Sequence, residues 1–190
     1  MIPTTREKFV KDYSKFVADA VKGTGIFAGT LFAQAILESS GKYNLPGWLV
    51  GGSKLSQKAN NFFGIKASPA WKGEVYNIAT GEYTPAGQYY TIADNFRKYA
   101  TVEDSIKDYV KFLKSNPRYT TAGVFSAKDV KEQAERLKAA GYATAPDYAT
   151  VVNSVYNSIK SFISENTGSI IKGSSLLLIV GLFFAYRYYK

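Results

Sequence analysis

The chain has 190 residues, 46% hydrophobic and 21% charged, enough to bury one respectable core but not two full domains, so one globular body with an appendage is expected. It holds neither cysteine nor histidine, which excludes disulfides, thiolate nucleophiles, ordinary zinc sites and every serine–histidine triad; no cofactor is expected, and any chemistry falls to carboxylates, hydroxyls, phenols, amides or lysines. The formal charge of +9 includes three cations in the last 22 residues, leaving 21 basic against 15 acidic residues in the body, a balance that favours anionic lipid or an acidic wall polymer and, without a dense basic tract, not nucleic acid.

Thr4 and Glu7 stand at capping-box spacing and open a first helix whose stripe is Phe9, Tyr13 and Phe16. This reads as an ordinary helix start and not as a secretory signal. Gly23 to Gly25 break the chain, and a second helix runs from Phe27 to Ser39. Gly41 to Gly52, with Pro46, is a loop whose Trp48, Leu49 and Val50 are apolar enough to plug the core or line a site. Between Trp71 and Arg97, β-prone residues flank Thr80-Gly81-Glu82 and Pro85-Ala86-Gly87, predicting a small hairpin. Three helices follow: Thr101 to Ser115, Ser126 to Ala140 ending at Gly141, and Pro146 to Glu165 with Val152, Val155 and Ile159 in its stripe. The fold class is mainly α (α+β), with one small β element.

The tail differs in kind. Residues 1–168 form the expected body, and 169–190 carry the uninterrupted apolar run Leu176 to Tyr186 with no acid. Lys172 and Arg187 would lie about 22 Å apart along a helix and could snorkel to opposite interfaces, with Tyr186, Tyr188 and Tyr189 as an aromatic belt. A buried core helix explains the run as well, but a single C-terminal transmembrane helix, with the lipid bilayer as partner, is the expectation.

Glu38 is the residue most in need of a reason. It falls at helical spacing from Leu31 and Ala35, so its carboxyl should point where the oily stripe points. Partial desolvation and the negative end of the helix would both raise its pKa, the condition a general acid needs. On position alone, a carboxylate turned to solvent or paired with Lys42 accounts for it as well.

Read together, AQAILESSG, ANNFFGIKAS, NFRKY, NPRY and GYATAPDYA resemble, in content and order, the glucosaminidase family of peptidoglycan hydrolases of the flagellar and autolysin type. The resemblance spans Thr30 to Tyr156. It implies a lysozyme-like helical fold with a cleft, acting as an endo-β-N-acetylglucosaminidase on the β-1,4 bond after N-acetylglucosamine in peptidoglycan glycan strands. By the same resemblance Glu38 is the catalytic acid. Glu82, in Thr80-Gly81-Glu82-Tyr83, is the second carboxylate, with Glu74 as the alternative. Tyr142 stands beside the scissile bond, where a phenol could bond the acetamido group or steady an oxocarbenium-like transition state. Asn60, Asn61, Phe63, Gly64 and Lys66 form the substrate loop beneath the cleft, and Trp48 is a further substrate contact. Two departures stand out: Ala145 replaces an acid that would cap the following helix, a role Asp147 could inherit, and Ser39-Ser40-Gly41-Lys42-Tyr43 replaces the usual Ser-Gly-Trp-Gly after the acid.

A body without a leading signal but with a C-terminal span should face the cytoplasm, which suggests a virion-associated lytic enzyme of a membrane-containing bacteriophage, with capsid proteins as further partners. A lytic transglycosylase, a non-catalytic wall-binding membrane protein and a holin-like protein are the competing readings, separable by wall clearing and by the chemistry of the product ends.

Overall fold

The computed structural model describes residues 2–45, 47–83 and 88–171, and the side chains among them except at 80–83, 89–90 and 167–171. Seven helices and one hairpin follow in chain order: α1 (Arg6–Val21), α2 (Ala28–Ser39), α3 (Lys54–Ala59), β1 (Val75–Tyr83), β2 (Tyr89–Arg97), α4 (Val102–Ser115), α5 (Pro117–Thr121), a 3-10 turn (Val124–Ser126), α6 (Val130–Ala139) and α7 (Tyr148–Ile171).

The centre is α2. Every residue from Gly29 to Ile36 is buried, as expected of a helix that is apolar all round rather than along one stripe. α1, α6 and α7 all pack beside it, supplying Phe9, Val10 and Val17 from α1 and Val152, Val155 and Ile159 from α7. Gly29 is what lets α7 come so close, since a Cβ there would sit 2.6 Å from the Tyr156 ring. Phe9 joins the layers by stacking on Phe62 at 5.7 Å and meeting Phe32 edge-on at 5.9 Å. Truncating any of these fully enclosed rings to alanine would cost about 3–5 kcal/mol.

Local chemistry sets the ends. α1 is capped by Thr5, whose hydroxyl accepts from Lys8 N–H at 3.3 Å, not by Thr4, which instead pairs in an antiparallel bridge with Val50. That bridge explains the apolar loop after α2: Val50 plugs the core at 1% exposure, while Trp48 stays 71% exposed. α6 starts at Val130 because Asp129 accepts from Glu132 N–H at 2.8 Å, four residues later than periodicity alone places it. α7 begins after Asp147, whose backbone carbonyl accepts from Val151 N–H at 3.0 Å.

The hairpin is a two-stranded antiparallel ribbon in the register Val75 to Arg97 through Tyr83 to Tyr89. Thr80-Gly81-Glu82, read from the sequence as a turn, lies inside β1. Arg97 anchors the hairpin's base: it bonds Asp108 of α4 at 2.7 Å and lies over the Trp71 ring at 4.6 Å. Tyr99 O–H donates to the same carboxylate at 2.7 Å.

The expectation of a transmembrane helix is corrected here. Among the described residues no helix is long and apolar enough to cross a membrane. α7, the last of them, is amphipathic: Val152, Val155 and Ile159 face the core while Ser154, Lys160 and Glu165 are exposed, and it runs without a break through residue 168, where the body was expected to end. The run Leu176 to Tyr186, on which the anchor rested, lies outside the described residues. The bilayer partner and the membrane location expected with the anchor have no support among the described residues.

Candidate active site

A cleft of about 760 Å³ opens between the end of α2, the loop after α3, the hairpin and the start of α7. Glu38, in the last turn of α2, lines it. That turn is held by its neighbours: Ser39 Oγ accepts from Gly51 N–H at 3.1 Å, and Ser39 carbonyl accepts from Ser53 N–H at 2.9 Å. Glu38 itself is half-buried and has neither a hydrogen-bond donor nor a cation bonded to it among the described residues. Desolvation with no compensation pushes its pKa up from 4.5 to about 7. Lys42 is exposed and forms no ion pair with it.

Facing Glu38 is the loop after α3. Asn60 takes a left-handed conformation at φ 48° and ends α3; its amide donates to the carbonyls of Tyr99 and Ala100 at 3.1 and 2.9 Å. Asn61 is wholly buried. Its Nδ2 donates to the Ile65 and Arg97 carbonyls at 2.9 and 2.8 Å, and its Oδ1 accepts from the Phe63 and Ile65 N–H groups at 3.3 and 3.1 Å. The two amides, expected to bind sugar, are bonded to backbone groups and so shape the loop, satisfying groups that a tight turn would leave unpaired. What they present to the cleft is Phe63, Gly64, Ile65 and Lys66. Gly64 has a φ of +63°, so glycine supplies the turn, and a Cβ there would meet Glu38 Oε2 only at an ordinary contact distance of 3.6 Å.

Lys66 is bridged to Asp94 of β2 at 3.0 Å. Desolvation pushes the Asp94 carboxyl up, but the Lys66 contact and the Asn95 N–H outweigh it and hold it below its usual range. Ile78 and Ala79 of β1 complete that wall.

Tyr142 reaches the cleft through the ending of α6. Gly141, at φ +73°, lets its own N–H bond the Lys138 carbonyl at 2.9 Å and the Tyr142 N–H bond Leu137 at 3.0 Å, the two bonds of a Schellman stop. The Tyr142 hydroxyl then donates to the Phe63 carbonyl at 2.9 Å. Burial, with the other tyrosines and Glu38 nearby, pushes its pKa well above the usual value.

The remaining expected residues lie elsewhere. Trp48 lines a separate pocket of about 210 Å³ with Thr4, Arg6 and Leu49. Glu74 is not in the cleft: it bonds Lys98 at 2.6 Å, and that contact lowers its pKa. The Glu82 backbone pairs with Tyr90 on the hairpin, and its side chain lies outside the described residues.

The sequence reading missed Gln34, Tyr109, Tyr119 and Tyr148 as site residues. Tyr109 stacks on Phe63 at 4.2 Å and meets Tyr142 at 6.2 Å, while Tyr148 lies 6.1 Å from Tyr142. Tyr119, Tyr142 and Tyr148 line the cleft with Glu38, and Tyr109 is buried against Phe63. Their only sequence signal was position on apolar stripes, which equally describes packing.

Comparison with known proteins follows the same lines. A family model described as glucosaminidase, mannosyl-glycoprotein endo-beta-N-acetylglucosaminidase, matches residues 14–161. The chain is 38% identical over 162 residues to the peptidoglycan hydrolase FlgJ of Vibrio parahaemolyticus, covering 82% of this chain and 48% of that protein. It is 36% identical over 126 residues to the exo-glucosaminidase LytG of Bacillus subtilis, covering 65% of this chain and 40% of that one. It thus spans about half the length, or less, of these curated relatives. Among solved structures, a peptidoglycan hydrolase mutant from Sphingomonas sp. A1 superposes with a TM-score of 0.67 at 29% identity over 84% of this chain and 99% of that one. The catalytic domain of the autolysin Auto from Listeria monocytogenes gives 0.64 at 28% identity over 87% and 89%. These relatives are bacterial proteins, and the virion role and capsid partners expected from the anchor are corrected: they have no footing in these likenesses or in the fold.

Proposed function

The chain belongs to the glucosaminidase family of glycoside hydrolases, and from that premise we propose that it cuts the β-1,4 bond after N-acetylglucosamine in peptidoglycan glycan strands, with Glu38 as the general acid. The observation that carries the reading is the state of Glu38. A carboxyl in a sugar-sized cleft, with no cation bonded to it among the described residues and a pKa raised to about 7, is still protonated in a large share of molecules at neutral pH and can deliver that proton to the bridging oxygen as the glycosidic bond breaks.

Three cleft features support this role. Phe63, Tyr142 and Tyr148 line the cleft with an apolar aromatic surface that suits the apolar faces of sugars. Tyr142 has committed its proton to Phe63, so its oxygen faces the cleft as an electron-rich acceptor, suited to the positive charge of an oxocarbenium-like transition state rather than to donating toward the acetamido carbonyl. The hairpin forms the opposite wall, and we assign its Glu82 as the second carboxylate, activating water or attacking the anomeric carbon. Phe63, Gly64 and Lys66 are the substrate contacts of the loop; Asn60 and Asn61 act through its shape. Trp48 would meet only a strand long enough to leave the cleft.

The test uses the full chain on purified peptidoglycan. Wild type should release fragments ending in reducing N-acetylglucosamine, read by mass spectrometry, and Glu38→Gln should release none while melting cooperatively. Anhydro-muramyl ends would make it a transglycosylase, and equal release by both proteins would reject Glu38 as the acid.

A further inference from the structure

Gln34 is wholly buried, and it stands one helical turn before Glu38 on α2, so the two side chains leave the helix on the same side. Its partners are phenols from two other helices. Tyr109 of α4 donates its O–H to Gln34 Oε1, and Gln34 Nε2 donates to the hydroxyl oxygen of Tyr148 at the start of α7. Burial fixes the sense of this relay. Tyr109 is fully enclosed and has no other acceptor among the described residues, so its proton must go to the amide oxygen; the amide nitrogen then has to face Tyr148. Turning the amide over would leave the proton of Tyr109, which does not line the cleft, without an acceptor, whereas Tyr148 lines the cleft. The consequence falls on Tyr148: it receives a hydrogen bond and gives none among the described residues.

Tyr148 lines the cleft together with Glu38, and after burial the charge of Glu38 is the strongest influence on its hydroxyl. The other phenols are differently placed. Tyr142 has given its proton to Phe63, and Tyr119 accepts from Arg118, with burial and that guanidinium governing it. The cations of the lining are Lys54, Lys66 and Arg118, and none is bonded to Glu38. The uncommitted donor that senses Glu38 is therefore Tyr148.

We propose that Tyr148 is a further catalytic residue, donating a hydrogen bond to the Glu38 carboxylate as it forms, with Gln34, locked by Tyr109, as the positioning residue. The inference rests on Glu38 being the acid. The proton passes from Glu38 to the glycosidic oxygen, the carbon–oxygen bond breaks with its electron pair on that oxygen, and Tyr148 keeps its own proton throughout. While Glu38 is protonated it gains little from the phenol. The bond strengthens as negative charge develops, which is the differential stabilisation that raises kcat rather than tightening binding.

Tyr148→Phe tests it in the full chain, because it removes one oxygen and keeps the ring. Turnover on peptidoglycan should fall about 10- to 100-fold with KM within about twofold. The alkaline limb of the rate profile should move upward by about half a pH unit or more, since a carboxylate without its donor forms less readily. A limb that stays in place, or a rate within about threefold of wild type, overturns the proposal. Where turnover is too slow to follow, a carbon-13 titration of the Glu38 carboxyl without substrate reads the same quantity: a raised midpoint supports the proposal and an unchanged one overturns it. Gln34→Met should shift the limb in the same direction, and an unshifted limb removes the positioning role. Loss of the parent reading looks different: there, Glu38→Gln would keep wild-type activity.

Discussion

Tyr142 donates its phenolic proton to the carbonyl oxygen of Phe63 at 2.9 Å, tying the end of α6 to the loop after α3 across the cleft. The bond joins two segments 79 residues apart in sequence, each placed by its own backbone device: a glycine stop before Tyr142 and the Asn61 amide beneath Phe63. It makes one phenol both a cleft wall and a structural link.

Tyr142→Phe should therefore act on stability and rate together. Losing the bond leaves a carbonyl short of a partner and should lower unfolding free energy by about 0.5–1.5 kcal/mol. Denaturant unfolding measures that loss. Turnover should fall at least tenfold at saturating substrate, because the oxygen facing the developing cation is gone. Unchanged turnover would leave Tyr142 as a link only.

Glu38 should make the protein less stable as pH rises. Its folded pKa, about 7, lies above its unfolded value of 4.5, so below 4.5 both states are protonated and there is no penalty. Between the two values the unfolded chain releases a proton that the native state retains, and stability falls until pH passes about 7. The full penalty is on the order of 3 kcal/mol. Glu38→Gln removes it: the variant should be more stable than wild type at pH 8, with the difference shrinking toward zero near pH 4. A constant difference across that range would show that ionisation is not the cause.

The rate should follow the same group from the other side. As the acid must be protonated to act, kcat/KM should decline as pH rises through about 7. A pH series on peptidoglycan at fixed ionic strength checks this, and a rate still rising above pH 8 would assign the proton donor elsewhere.

Asn61→Ala should be a folding mutation rather than a binding one. It deletes an amide that makes four hydrogen bonds to backbone groups of the Phe63 loop and Arg97, and the loss should reach about 2–4 kcal/mol. Residual activity should show a lower kcat, since the loop that faces Glu38 is displaced. A stable variant with only a raised KM would restore Asn61 as a sugar contact.

Much of this architecture was legible before any coordinates. Gly23 to Gly25 and Gly41 mark the limits of α2, and the periodicity of Val152, Val155 and Ile159 marks α7, because glycine freedom and apolar spacing are local properties of the chain. The short helices α3 and α5 were not legible, as segments of six and five residues carry too little periodicity to stand out. Thr80-Gly81-Glu82 was misread as a turn because pairing with the opposite strand overrode local propensity. The transmembrane expectation rested on apolar length in the run Leu176 to Tyr186, which lies outside the described residues, and no described helix supports it.

The amino-acid sequence by itself determined the chemical repertoire, with no thiol and no imidazole, the order of the helices, and the presence of an acid on the most apolar of them. It carried family membership through strings whose spacing survives in the chain. The tertiary structure alone decided that no described residue bonds Glu38, that the Asn60 and Asn61 amides bond backbone groups, and that Tyr148, bonded by Gln34, gives its proton to no acceptor among the described residues. Desolvation, hydrogen-bond direction and the pairing of buried donors depend on which distant segments meet, and no local pattern of residues encodes them.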